Sequence, residues 1–228
     1  MTPDFLPVGD CGVRVCFGAE ISPRLQRRVQ RFCMKLEYSS IVGVTEWVPA
    51  YATVTVYYQP WRVKYEPLCR ALQMLNQKRL VGVQTESRLI EIPVCYGGEF
   101  GPDLLFVAGT HGLTPAQVIA RHCQPRYLVY FLGFLPGFGY LGGLPRLLAT
   151  PRRATPRSTV PAGSVGIAGA QTGVYPQESP GGWQIIGRTP LRLYDPARQP
   201  AALLRAGDNV KFVPMTAQEY EKAAHEPY

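Results

Sequence analysis

One stretch, residues 127–183, restricts the folds open to this 228-residue chain more than any other. It opens apolar (YLVYFLGFLPGFGYLGGL), passes through the proline- and arginine-rich PRRATPRSTVPAGSVGIAG, and closes on QTGVYPQESPGGW. Glycine and proline recur too often for a long helix to cross it, since glycine loses backbone entropy in a helix and proline removes a donor. Short apolar runs between Gly/Pro turns instead suggest a closed or sandwiched β domain. The spacing predicts strands at 88–95, 127–132, 164–168, 183–187, 191–194 and 209–213. Thr114 and Pro115 make an N-cap and first-turn pair for a short helix ending near His122 and Cys123, and residues 216–228 read as a short helix and a tail.

The same region is one-signed. From Leu104 to Gln177 there is no Asp or Glu, yet there are six arginines: Arg121, Arg126, Arg146, Arg152, Arg153 and Arg157. With the glycines and aromatics, this reads as a shaped site for something anionic. Arg152, Arg153 and Arg157 stand among Pro151, Pro156 and Pro161, which reduce the chain's freedom and hold the arginines in place. No acid nearby in sequence neutralises them. Arg157 is the first candidate for an anion ligand, so Arg157→Ala is expected to weaken function while leaving the fold intact. Salt bridges to acids distant in sequence are the bland alternative.

Upstream, residues 11–17 (CGVRVCF) alternate as a strand. Ser22 and Pro23 then open a helix with Leu25, Val29, Phe32 and Leu36 on one face and Arg24, Arg27, Arg28, Arg31 and Lys35 on the other. That basic face is either solvated or docks an acidic partner. Residues 41–47 and 52–58 read as strands, Pro67 opens a second helix carrying Leu68, Leu72 and Leu75, and 80–84 adds a fourth strand. The order β-α-β-β-α-β is the split βαβ, or ferredoxin-like, arrangement. Helical periodicity stops near Thr85, so the expected domains are 1–85 and 86–228, together an α+β chain.

Composition narrows the function. The net charge of +8 comes from nineteen arginines and five lysines, a bias toward planar, bidentate partners such as carboxylate and phosphate. No nucleic-acid signature accompanies it. Six cysteines lie scattered without a C-x-x-C pair, no basic stretch followed by an apolar run marks a signal peptide, and no apolar run is long enough to span a membrane. The expectation is a cytoplasmic protein with reduced thiols.

Residues 137–142 (GFGYLG) match G-x-G-x-x-G, but Gly143 and Pro145 follow where a helix should open, and no acid lies downstream to hold a ribose. The loop is either tight turns or a ligand wall, with Phe134, Phe138 and Tyr140 as flat faces. Residues 161–166 (PAGSVG) have the composition of a backbone anion nest but lack the lysine of a P-loop. Ser164 lacks a G-x-S-x-G context. The three histidines, His111, His122 and His225, have no metal-ligand spacing, so no metal site is expected. His122, at a helix end beside the window, is a candidate acid/base or a capping histidine. Only Glu99, Asp103 and Glu178 flank the window as carboxylates, too few for a self-sufficient acid/base centre. The chain therefore either binds without catalysing or shares its site with another polypeptide.

Residues 92–104 (IPVCYGGEFGPDL), 127–145, 150–190 and 206–214 (AGDNVKFVP), with GDCGVRVCFG and WVPAYATVTVYY upstream, resemble the allophanate hydrolase subunit 1 family. The resemblance covers nearly the whole chain and lies closest to the family's 5-oxoprolinase branch. It implies a small α/β domain followed by a cyclophilin-like β-barrel. It further implies work in a complex that opens 5-oxoproline to L-glutamate with ATP hydrolysis. The implied partners are an allophanate hydrolase subunit 2-type protein (the 5-oxoprolinase C subunit) and the 5-oxoprolinase A subunit, with ATP held by this chain or a partner. Other branches imply inhibition of a sensor histidine kinase, or half of a biotin-dependent carboxyltransferase. By resemblance the site includes Glu99, Asp103, His122, Phe134, Pro136, Tyr140, Arg157, Gly163, Ser164, Gln171, Tyr175 and Trp183.

Overall fold

The computed structural model describes residues 2–79 and 87–225, and its chain divides into two compact units between residues 86 and 87. In the first unit, β1 (Asp4–Val8) and β2 (Gly12–Cys16) precede helix α1 (Pro23–Glu37), strands β3 (Val44–Pro49) and β4 (Thr53–Tyr58), and helix α2 (Tyr65–Gln77). Ser22 caps α1, its hydroxyl accepting from the Leu25 N–H at 3.3 Å, with Pro23 in the first turn. The apolar stripe of α1 buries Val29, Phe32 and Leu36, and that of α2 buries Leu68, Leu72 and Leu75. They pack with Val13, Val15, Val54 and Val56 in one core, each large side chain contributing about 1.5–3 kcal/mol on burial.

The sheet of this unit is antiparallel, in the order β1-β2-β4-β3. The run β2-α1-β3-β4-α2 follows the expected split βαβ sequence. The expected strand at 80–84 lies outside the described residues. The edge beside β2, where a split βαβ pairs its last strand, is occupied by β1, which the sequence pattern did not predict.

The second unit runs β5 (Leu89–Tyr96), α3 (Leu104–Thr110), α4 (Pro115–Cys123), β6 (Tyr127–Leu132), β7 (Gly139–Gly142), β8 (Arg157–Val160), β9 (Ser164–Ala168), β10 (Gln171–Val174), β11 (Ser179–Gly181), β12 (Gln184–Arg188), β13 (Asn209–Met215) and α5 (Ala217–His225). Seven strands close a barrel in the order β10-β7-β6-β13-β5-β12-β9, with β5 and β13 parallel and the other pairs antiparallel. β8 and β11 form a separate two-stranded ribbon. Period-2 alternation sends Val165, Ile167, Ile186, Val129, Leu141, Val210 and Phe212 into the barrel core, which α3 and α4 extend with Val107, Ala108 and Val118. A full capping box of Thr114 and Gln117 starts α4.

One expectation changes. Residues 191–194 are not a strand and contribute only an isolated bridge, Tyr194 to Ala202. As expected, the G-x-G-x-x-G run opens no α-helix: it contains strand β7 and is followed only by a single 3-10 turn, Arg146–Leu148. The sequence pattern predicts no element at helix α3; its N-cap residue Asp103 makes no capping hydrogen bond and spends its side chain elsewhere.

Candidate functional site

The barrel has a second, smaller apolar cluster apart from its main core. Along β9 the residues alternate with Val165 and Ile167, so Ser164, Gly166 and Ala168 occupy the opposite, outer face. On that face Phe138, Val160, Tyr175, Trp183 and Ile185 pack together, with Leu135 and Tyr140 against them. The rings meet edge to face: Phe138 lies 5.6 Å from Tyr175, 5.5 Å from Trp183 and 5.0 Å from Tyr140. Phe134 extends this shelf, 5.5 Å from Phe138, yet remains 62% exposed. Its backbone has φ 70°, a left-handed conformation that costs a non-glycine residue about 1–2 kcal/mol. An exposed aromatic held at that cost makes Phe134 a candidate for ligand contact. Pro136 is exposed in the same loop, and Tyr140 stacks on Phe131 at 4.5 Å.

Beside the shelf runs the arm 151–157, anchored at several points. The Gln184 side-chain amide donates to the Pro151 carbonyl at 3.0 Å, and the Arg153 N–H donates to the Gly182 carbonyl at 2.7 Å. The strongest anchor is Asp103. Arg157 donates to both its oxygens at 2.8 Å, Arg153 donates at 3.1 Å, and the Ile185 N–H donates at 2.7 Å. The carboxylate is buried, with four donors on two oxygens. Arg157 is therefore not the free anion receptor that the sequence predicts: its guanidinium is the partner of a distant acid. Arg152 stays exposed and forms no ion pair among the described residues. Arg152, Arg153, Phe106, Thr155 and Gln184, with Asp103 at the base, line a cleft of about 560 Å³. Burial pushes the Tyr175 phenol up, opposed by the Trp183 backbone N–H and by Arg152 and Arg157, so Tyr175 stays neutral.

His122 lies elsewhere. It is fully buried, stacked 4.5 Å from Phe212. Its Nε2 meets Thr172 Oγ1 at 2.9 Å and its Nδ1 meets the Tyr96 hydroxyl at 2.8 Å. Thr172 gives its own proton to the Gly166 carbonyl, so Nε2 carries the hydrogen and Nδ1 accepts from Tyr96. Burial lowers its pKa to about 3, keeping it neutral. An acid/base role at a solvent-reachable site does not fit this placement; the residue ties α4 to β5 and β10.

The remaining candidates separate. Glu99 is exposed in the turn after β5, and Gln171 is half-buried at the start of β10. Gly163 has φ +78°, and a Cβ there would fall 2.2 Å from the Thr189 carbonyl oxygen. The nest expected at 161–166 is already filled, because the Gly163 N–H donates to the Tyr175 carbonyl and the Ser164 N–H to that of Pro161. Ser164 is buried, and its hydroxyl has no partner among the described residues. The structure thus brings together Asp103, Arg157, Phe134, Tyr140, Tyr175 and Trp183, ties the Gly163–Ser164 backbone to that of Tyr175, and leaves His122 and Glu99 apart. Phe106, Thr155 and Gln184 are additions that carried no signal in the sequence. Among the described residues, no three or more His, Cys, Asp or Glu side chains gather as a metal site.

The model of the family described as "Carboxyltransferase domain, subdomain C and D" matches residues 3–204. The B subunit of 5-oxoprolinase from Bacillus subtilis (strain 168) is 43% identical over 93% of this chain and 93% of its own length. The protein of the same name from Escherichia coli O157:H7 is 46% identical over 91% of this chain and 94% of its own. The solved structure of TTHA0988 superposes with a TM-score of 0.79 at 38% identity, covering 90% of this chain; the chain spans 40% of that protein. K. lactis urea amidolyase shares the fold at 21% identity and a TM-score of 0.79, over 96% of this chain and 15% of that one.

Proposed function

Because the chain belongs to the family of the carboxyltransferase domain, subdomains C and D, we propose that it serves as the B-type member of an ATP-dependent 5-oxoprolinase complex. The complex opens the lactam of 5-oxo-L-proline to L-glutamate with ATP hydrolysis, and this chain is inactive without its partners. Those partners are the 5-oxoprolinase A and C subunits, the latter of the allophanate hydrolase subunit 2 type. One observation carries the reading: identity of 43% and 46% along more than nine-tenths of both chains, so that both units are matched.

The site's chemistry agrees with a shared centre. A lactam is a poor electrophile, and phosphorylating its oxygen creates a good leaving group. General acid/base work needs a carboxylate or imidazole free to exchange protons. Here Asp103 is saturated by four donors and His122 is sealed in the barrel. This chain therefore binds and orients, and a partner supplies the proton-transfer groups. Phe134, Pro136 and Tyr140, backed by Tyr175 and Trp183, form the wall for the substrate ring. In this reading residues 1–85 are a ferredoxin-like domain whose edge beside β2 is taken by β1, residues 86–228 a cyclophilin-like barrel, and the complex acts in the cytoplasm.

The test is reconstitution. The chain is mixed with A- and C-type subunits, ATP and 5-oxo-L-proline, and glutamate is measured by chromatography. Glutamate should accumulate with all three subunits and not when this chain is left out. No glutamate from the complete mixture would sink the assignment.

A further inference from the structure

Three guanidinium groups, Arg152, Arg153 and Arg157, gather at the arm 151–157, and the single carboxylate paired with them among the described residues is Asp103. Three positive charges against one negative leave a surplus of two. Among the described residues, no other acidic side chain lines the cleft into which Arg152 and Arg153 face. A surplus of this kind is costly in an isolated fold, because like charges repel where few counter-charges are fixed nearby. Meanwhile the Arg153 Nε is buried and has no partner among the described residues.

The arm is also pre-organised. The Pro151 carbonyl, the Arg153 N–H and the Arg157 guanidinium are each tied to the barrel, while the side chain between them, Arg152, is exposed and unpaired with any acid among the described residues. Fixing the backbone beforehand lowers the ordering cost of binding. The cleft holds about 560 Å³. Phe106, 56% exposed, forms an apolar wall opposite the arginines, and Thr155 adds a hydroxyl.

We propose that this cleft is a phosphoryl-binding site, its two surplus charges matched to a phosphate dianion. Planar guanidinium forks fit phosphate oxygens in bidentate fashion, and a monoanion such as a carboxylate neutralises only half of the surplus. The inference deepens the 5-oxoprolinase reading by giving this chain the phosphoryl group, and it rests on that reading only for the group's origin, nucleotide or free phosphate.

The test is calorimetric titration of the full chain with inorganic phosphate and, separately, with acetate. Phosphate should bind at least about tenfold tighter than acetate, and Arg152→Ala should weaken phosphate by about tenfold or more without lowering the ligand-free melting temperature. Arg152→Lys, which keeps the charge but not the fork, should fall between. No heat with phosphate, equal affinity for acetate, or unaltered binding by Arg152→Ala overturns the proposal. A third arm uses ATP: Arg152-dependent binding at least about tenfold tighter than phosphate assigns the site to nucleotide, and weaker or equal binding assigns it to the free phosphoryl group. Glutamate formation is a separate readout. Binding that ignores Arg152 refutes the cleft even if glutamate forms, and absent glutamate refutes the reaction even if phosphate binds.

Discussion

Replacing Arg157 by alanine removes two of the four hydrogen bonds that neutralise Asp103. The carboxylate side chain is 6% exposed, so water cannot substitute for the lost donors. Breaking a buried ion pair from one side costs about 3–5 kcal/mol. Here Arg153 and the Ile185 N–H remain on the oxygens, and Arg157 is itself only three-quarters buried, which places the loss near the lower end, about 3 kcal/mol. At roughly 2–4 °C per kcal/mol, the melting temperature should drop by about 6–12 °C. Thermal unfolding followed by circular dichroism reads this directly. Arg157→Lys should lose about half as much, because the charge stays and the bidentate fork goes. A double-mutant cycle with Asp103→Ala should give a coupling of about 2 kcal/mol. If Arg157→Ala melts within about 2 °C of the parent chain, the structural account of the pair fails, and the guanidinium serves a ligand instead.

Acidification should expose His122. Its folded pKa of about 3 lies below the unfolded value of 6.5, so between these values only the unfolded chain takes up the proton. Stability is full above pH 6.5 and falls on acidification by up to about 1.4 kcal/mol per unit, or about 2 kcal/mol by pH 5. Urea unfolding at pH 7 and pH 5 should show that loss in the parent chain beyond the loss in His122→Gln; equal losses contradict a buried neutral imidazole. Thr114→Ala breaks the α4 capping box and should cost about 1 kcal/mol in the same measurement. Phe134→Gly relieves a left-handed backbone but frees the unfolded chain, so stability should change by less than about 1 kcal/mol, while glutamate formation by the assembled complex falls if the exposed ring contacts substrate. Unchanged turnover would remove Phe134 from the proposed wall.

Much of the fold was legible in the chain. The apolar stripes of α1 and α2, the Ser22 and Thr114 caps and the alternation of β4 and β9 report local preferences that tertiary packing reinforces. Strands β7, β8, β10 and β11 were not legible, because three or four residues rich in glycine or polar side chains carry too little periodicity to separate strand from turn. The segment 191–194 alternates without becoming a strand: only its isolated bridge to Ala202 pairs it. β1 contains a proline and exposes most of its residues, so it reads as loop until β2 pairs with it.

For the candidate site the division is sharper. The sequence by itself determined a glycine- and aromatic-rich β domain, an arginine arm stiffened by proline, and a shortage of carboxylates across 104–177, since these are properties of composition and local spacing. Only the tertiary structure decided which charges meet. Asp103 stands at the edge of the acid-free window, 50 residues from Arg153 and 54 from Arg157, and barrel closure sets it beneath both. The same closure sealed His122 away from solvent, 50 residues from the Thr172 hydroxyl that accepts its hydrogen bond. Electrostatic energy depends on distance in space and on burial, and neither can be read along a chain whose partners lie half a domain apart.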